Sequence, residues 1–298
     1  MIVSRLPLRI SKAAWRSRQI GAVSIPTLVV AVLAHRWELI NANTLVIVML
    51  FGSALAGLCI LMSLYAVVDL WRDGGKGFAN AFWGFLYGCI ALVPLAFGVW
   101  SASAYPNIND VSTDMVNPPP LTIGATASDR FTPQHQDLQK TGYPDVVPRR
   151  FRISPHELHR AAQETMGRLG WEIVSNQPPD LADEPSLLLA EVTTPVIAFK
   201  DDFSMRITPD RVGALMDIRS ASRFGQHDLG ANARHIREFL ELLDSVLLET
   251  YGVTPVFEAE AAVSDDEPLS DVGPMPDFLE EDPISDFTPV PGLKPTLN

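Results

Sequence analysis

The sequence predicts three transmembrane helices, then an α+β domain with a small antiparallel sheet packed by two helices, then a disordered acidic tail. Three observations carry this reading. Glu38 and Asp69 are separated by 30 residues without a charge, and Lys76 and Asp110 by 33. Between Ser154 and Tyr251, helical and two-residue apolar periodicities alternate. From Glu258 onward, 11 acids stand against one lysine, with seven prolines and few large apolar residues clustered together. A hydrocarbon core about 30 Å thick needs roughly 20 apolar helical residues, so both long uncharged runs qualify. The boundaries expected are an anchor over 1–104, a domain over 105–255 and a tail over 256–298.

The first span is the short one. Gln19–Ala34 offers 16 uncharged residues and contains Pro26. It crosses if His35 and Arg36 snorkel or if the helix extends to Ile40; otherwise it lies in the interface. The expected spans are about 20–37, 45–68 and 78–100. Arg5, Arg9, Lys12, Arg16 and Arg18 precede the first with no acid among them, and no small-residue cleavage site follows, so an uncleaved anchor is expected. The loop after the first span holds one basic residue, Arg36, and the loop after the second holds Arg72 and Lys76. The positive-inside rule then sets the N-terminus in the cytoplasm of a bacterial inner membrane, with residues after about 101 in the periplasm. If the first segment does not span, the domain returns to the N-terminal side. Gly84-Phe-Leu-Tyr-Gly88 has the G-x-x-x-G spacing that lets helices approach closely, within this bundle or between two copies.

The net charge of −12 belongs almost wholly to the tail, which carries −10 of it. Such a segment cannot bury enough apolar surface to offset its ordering entropy. The two cysteines, Cys59 and Cys89, fall in the spans, so neither a disulfide framework nor a zinc spacing exists. No basic stripe joined to stacking aromatics argues for nucleic acid.

Residues 101–150 show no helical periodicity. Their prolines and Asx residues favour extended and turn backbone that lies along the domain. Ser154-Pro155-His156-Glu157 opens a helix with a capping box. Leu158, Ala162, Met166 and Leu169 keep one face, and Gly170 stops it. Trp171–Val174, Leu187–Thr194 and Val196–Phe199 read as strands. Phe203, Met205 and Ile207 then alternate with polar residues, as do Ala214, Met216 and Ile218. For both apolar sets to face the core, paired residue numbers must sum to an odd value. A four-residue loop at 209–212 gives 421, which sets Asp202 opposite Arg219 and Ser204 opposite Asp217, with Arg206 on the diagonal. A last helix follows over about 230–251, with Ile236, Phe239, Leu240, Leu243 and Leu247 on one side, Asp228 as N-cap and Gly252 as stop. Arg234, His235 and Arg237 crowd its first turns, where the macrodipole is already positive, so a negative group is expected nearby.

The stretches "FKDDFSMRI" and "MDIRSASRFGQHDLGANARHIREF" resemble the signature of the uncharacterised domain-of-unknown-function family 1499. "YPNINDVSTD" and "YPDV" at Tyr143–Val146 are similar to its upstream segments, so the resemblance covers Tyr105–Tyr251. It marks Asp201, Asp202, Arg206, Asp217, Arg219, Ser220, Ser222, Arg223, Asp228, Gly230 and Asn232 as signature positions. It brings no activity and no catalytic residue. Leu188-Leu-Ala-Glu191 departs from the Arg-Ile-Glu-Ala-like run expected of the family.

Three functional readings follow. In the first, Arg219, Arg223, Arg234 and Arg237 meet the helix N-terminus and bind a small anion. The candidate ligand-binding set is then Asp202, Arg206, Asp217, Arg219, Ser222, Arg223, Asp228, Asn232, Arg234 and Arg237. Its structural counterpart is an internal ion-pair network, in which Asp202, Asp217 and Asp228 satisfy the arginines. The second is a hydrolase built from His227, His235, Ser220, Ser222 and Asp217, without a G-x-S-x-G elbow to support it. The third is a scaffold that docks an envelope protein. A lipid bilayer is the expected partner, self-association through Gly84 and Gly88 an open option, and no metal or cofactor is expected. Asp201 and Asp202 point to opposite faces of a strand and cannot easily share a metal.

Overall fold

The structure is a computed structural model of the full chain, and it describes residues 9–122, 131–179, 184–211 and 213–252. The acidic tail expected over 256–298 lies outside the described residues. Three long helices come first: α1 (Lys12–Arg36), α2 (Ala42–Asp73) and α3 (Phe78–Ala104). All three are long and apolar enough to cross a membrane. The first begins well before the expected boundary because Ser11 caps it, its hydroxyl accepting from Ala14 N. Asn41 caps the second in the same way, accepting from Thr44 N at 2.8 Å. Exposed Trp15 and Trp71 mark one end of the bundle, and exposed Trp37 and Trp100 the other. Trp15 and Trp37 are separated by about 33 Å of helix at 1.5 Å per residue, the span of a hydrocarbon core with an aromatic belt on each side.

Small residues close the bundle. A Cβ on Gly84 would fall 2.6 Å from Ser17 Oγ and 2.9 Å from the Arg18 backbone nitrogen. One on Gly88 would fall 2.6 Å from Ile60 Cγ1 and 3.0 Å from the Ala56 carbonyl. The G-x-x-x-G spacing is thus used between α3 and its own neighbours, and both glycines are buried there. The Cys59 sulfur lies 2.9 Å from the carbonyls of Ser17 and Gly84 at the same contact.

The rest of the described chain contains β1 (Asp110–Ser112), α4 (Pro133–Gly142), β2 (Arg149–Phe151), α5 (Pro155–Arg168), β3 (Glu172–Gln177), β4 (Ser186–Thr193), β5 (Lys200–Asp210), β6 (Gly213–Ser222) and α6 (Ala231–Tyr251). Six strands form one antiparallel sheet in the order β1-β6-β5-β4-β3, with β2 also paired to β6. One face packs on α5 and α6. Phe203, Met205, Ile207, Ala214, Met216 and Ile218 meet Ile236, Phe239, Leu243 and Leu247 there, all buried. The capping box at Ser154 and Glu157 forms with both hydrogen bonds present.

Four expectations need correction. The β5–β6 register sums to 423, so the loop is two residues, 211 and 212. Parity holds and the core face is the expected one, but every pairing slides by two. Asp202 faces Ala221, Ser204 faces Arg219, and Arg206 sits directly opposite Asp217. Val196–Phe199 is the β4–β5 turn and not a strand: Pro195 cannot donate to a ladder, Thr194 N donates to Phe199 O, and Ala198 takes a φ of 62°. Residues 101–150 hold β1, α4 and β2, and they contribute Ile108, Val111, Tyr143 and Val146 to the core. Helix α6 is N-capped by Gly230 in the left-handed region, φ 78°, and not by Asp228. The Asp228 carboxylate still serves the cap, accepting from Gly230 N and Asn232 N at 2.9 Å each.

Candidate functional site

The charged face of the β5–β6 hairpin is covered, not open. The chain leaving α3 pairs as β1 with β6 and then runs across this face as a proline-rich strap, residues 113–122. Arg219 forks onto Asp110 at 2.9 and 2.7 Å and donates to the Pro119 carbonyl at 3.1 Å. Both partners are buried, Arg219 at 2% and Asp110 at 0% exposure. The guanidinium also lies 5.3 Å from the Phe131 ring centroid. Arg206 donates to Asp217, Asp114 and the Asn117 carbonyl through one nitrogen, at 2.9, 3.2 and 2.9 Å. Asp114 in turn accepts from Val116 N and Asn117 N, which fixes the turn in the strap. Ser204 donates to the Pro120 carbonyl at 2.7 Å. Burial raises the Asp217 carboxyl above its ordinary range, and the Arg206 hydrogen bond opposes that. Helix α4 closes the edge: Gln139 pairs with both backbone groups of Ser112, and His135 donates to Asp110 O.

The start of α6 is a second polar cluster. Ser220 donates to Asn232 Oδ1 at 2.9 Å, while Asn232 Nδ2 donates to Ser222 Oγ and the Asn109 carbonyl. His235 is 4% exposed, its Nδ1 is 3.8 Å from Asp201 Oδ2, and that nitrogen has no hydrogen-bond partner among the described residues. Burial, with help from Arg234, pushes the His235 pKa down to about 4, and burial pushes that of Asp201 up to about 6. His227 accepts from Leu229 N through Nδ1, with Nε2 on the Ala102 carbonyl. Neither serine is hydrogen-bonded to a histidine among the described contacts, so no nucleophile and base are paired.

The four arginines of the anion reading do not share one site. Arg219 takes Asp110, Arg237 takes Asp145 at 2.6 and 2.7 Å, and Arg234 lies exposed, 4.0 Å from Glu238. Arg223 bridges Asp202 and Glu191. Those two carboxylates sit directly opposite each other on β5 and β4, a pairing that repels without a cation between them. Lys200 joins the group through Glu191 at 3.1 Å and reaches Glu38, in the α1–α2 turn, at 2.9 Å. Burial opposes ionisation of Glu191, but hydrogen bonds from Lys200 and Arg223 together hold its pKa below the usual value. Glu38, Glu191, Lys200 and Arg223 line a cleft of about 730 Å³ between the β4–β5 end of the domain and the α1–α2 turn. His35 donates to the Ile197 carbonyl and Arg36 to the Pro195 carbonyl at 2.7 Å each, so the domain rests on the end of α1.

Residues 110–243 match the family described as "Protein of unknown function (DUF1499)". That segment is similar to the DUF1499 family. It starts at Asp110, the partner of Arg219, and ends within α6, so it includes the strap as well as the hairpin. No curated protein and no solved structure matches the chain. Among the described residues, no group of three or more His, Cys, Asp or Glu is placed to hold a metal. The site reading missed Asp110, Asp114, Glu191, Lys200 and Glu38. Parity carried one strand further, to β4, would have placed Glu191 on the face of Asp202, and carried back to the start of β5 it would have placed Lys200 there too. The other three come from segments with no periodic signal.

Proposed function

We propose that this chain is a membrane-anchored scaffold, with its DUF1499 domain held rigidly on the extracytoplasmic end of a three-helix anchor. The observation that carries this reading is the buried Arg219–Asp110 fork. It ties the signature hairpin to the chain segment emerging directly from α3. On this reading the signature charges are structural: they clasp the strap and cap α6. The arginines of the hairpin face are occupied by protein carboxylates, and the outer rim at Arg223 is where a partner has access. The basic N-terminal segment, Lys12–Arg18, and the domain lie at opposite ends of the bundle. With the basic end in the cytoplasm, the domain is in the bacterial periplasm.

A reporter fused after Asn298 tests the placement. Active alkaline phosphatase together with a dark fluorescent protein fusion is the expected pair. The reverse pair contradicts it.

A further inference from the structure

We propose that the cleft between the domain and the α1–α2 turn binds a zwitterionic phosphodiester with a primary ammonium, the chemistry of an ethanolamine headgroup. The cleft adjoins a smaller cavity of about 290 Å³, and the two share Glu172, Glu191 and Thr193. They differ in charge. The larger is lined by Arg36, Lys200 and Arg223 alongside its acids. The smaller holds Glu172, Glu191 and Glu238 with no basic residue but His235, which burial keeps neutral at physiological pH, and it is walled by Trp171. Glu191 is already held by Lys200 and Arg223, and the other two carboxylates, Glu172 and Glu238, beside an indole suit an ammonium. Lys200 and Arg223 suit a phosphate.

Position selects a lipid as the first source of this chemistry. The cleft is floored by Leu39, Ile40 and Ala42, at the bundle end marked by exposed Trp37 and Trp100, the level at which headgroups lie. Lys200 is held there by Glu38, which is itself largely exposed and can yield to a phosphate. The site rests on the membrane insertion proposed above, which the reporter fusions test separately.

The test uses the full-length chain in nanodiscs containing phosphatidylethanolamine, phosphatidylcholine and phosphatidylglycerol in equal parts, with native mass spectrometry of the lipids retained on release. Charge-assisted hydrogen bonds from an ammonium N–H predict about tenfold preference for the ethanolamine lipid over each of the others. Glu172→Gln should reduce that preference to about twofold or less, and Lys200→Gln should lower retention of all three phospholipids. Both side chains are on the surface, and an unchanged melting temperature confirms that each variant folds. A parallel arm adds glycerophosphoethanolamine to the detergent-solubilised protein. A rise in melting temperature there keeps the assigned chemistry and names a soluble phosphodiester as its source. Preference in nanodiscs without that rise assigns the bilayer lipid. Equal retention of the three lipids with no thermal shift, or a preference that survives Glu172→Gln unchanged, overturns the proposal.

Discussion

Asp201 and His235 are buried against one another at 3.8 Å with their pKa values displaced in opposite directions, and this makes a testable pair. His235 is near 4 when folded against an ordinary 6.5, so its contribution to stability is present above pH 6.5 and is lost as pH falls towards 4. Asp201 is near 6 against 3.8, so its contribution is present below pH 3.8 and is lost as pH rises through 6. In the shared window the folded pair and the unfolded pair bind about the same number of protons, and the two slopes cancel. Asp201→Asn removes one slope. Its melting temperature should rise relative to the unmodified protein between pH 4 and 6, by up to roughly 1.4 kcal/mol of stability per pH unit. His235→Gln should fall relative to the unmodified protein over the same range. Thermal unfolding at five or six pH values reads both, and parallel curves for all three proteins would show that the pair does not titrate this way.

At the scale of elements, the sequence disclosed periodic features and hid those that depend on partners distant in the chain. Odd-sum parity put Met205 and Met216 in the core, since one face of each strand is apolar, but apolar pattern cannot separate registers two residues apart. The loop length decides that, and Arg211 with its neighbour suffices where four residues were expected. The capping box of α5 was legible because all its parts lie within four residues. Ser154→Ala should cost about 1 kcal/mol, measured by denaturant unfolding, and no loss would mean that the helix start is held by other contacts. Helix α4 was missed because its polar inner face, Gln139 and His135, binds backbone instead of joining the apolar core. Val196–Phe199 misled because its apolar residues do not face the core: Val196 is exposed, and Phe199 meets His35 and Phe224 at the α1 end of the domain. In the anchor, Gly84→Ile should destabilise the bundle, since even a Cβ meets Ser17, Ser63 and the α1 backbone. Melting in detergent should fall while the mass by light scattering stays constant. A change of mass with unchanged melting would move the glycine to a contact between copies.

For the whole molecule, the chain through β1 and the strap joins anchor to domain. It leaves α3 at Ala104 and reaches β1 within six residues. It then crosses the hairpin, where Arg219, Arg206 and Ser204 grip its carbonyls and acids. The candidate site was therefore half legible. The signature charges were found, but the acids of the covering chain that Arg219 and Arg206 hold lie about a hundred residues upstream, where no local pattern points to them. On the reading proposed above, hairpin charge holds the chain that leaves the anchor against the domain. A double-mutant cycle on Arg219 and Asp110 in the full-length protein tests this most directly. Arg219→Ala and Asp110→Ala should each cost roughly 3–5 kcal/mol, because each breaks a buried ion pair by removing one partner. Together they should cost clearly less than the sum, by about 2 kcal/mol or more. Single losses that are small, or that add within about 0.5 kcal/mol, would contradict a buried clasp and return the hairpin face to the role of a ligand site.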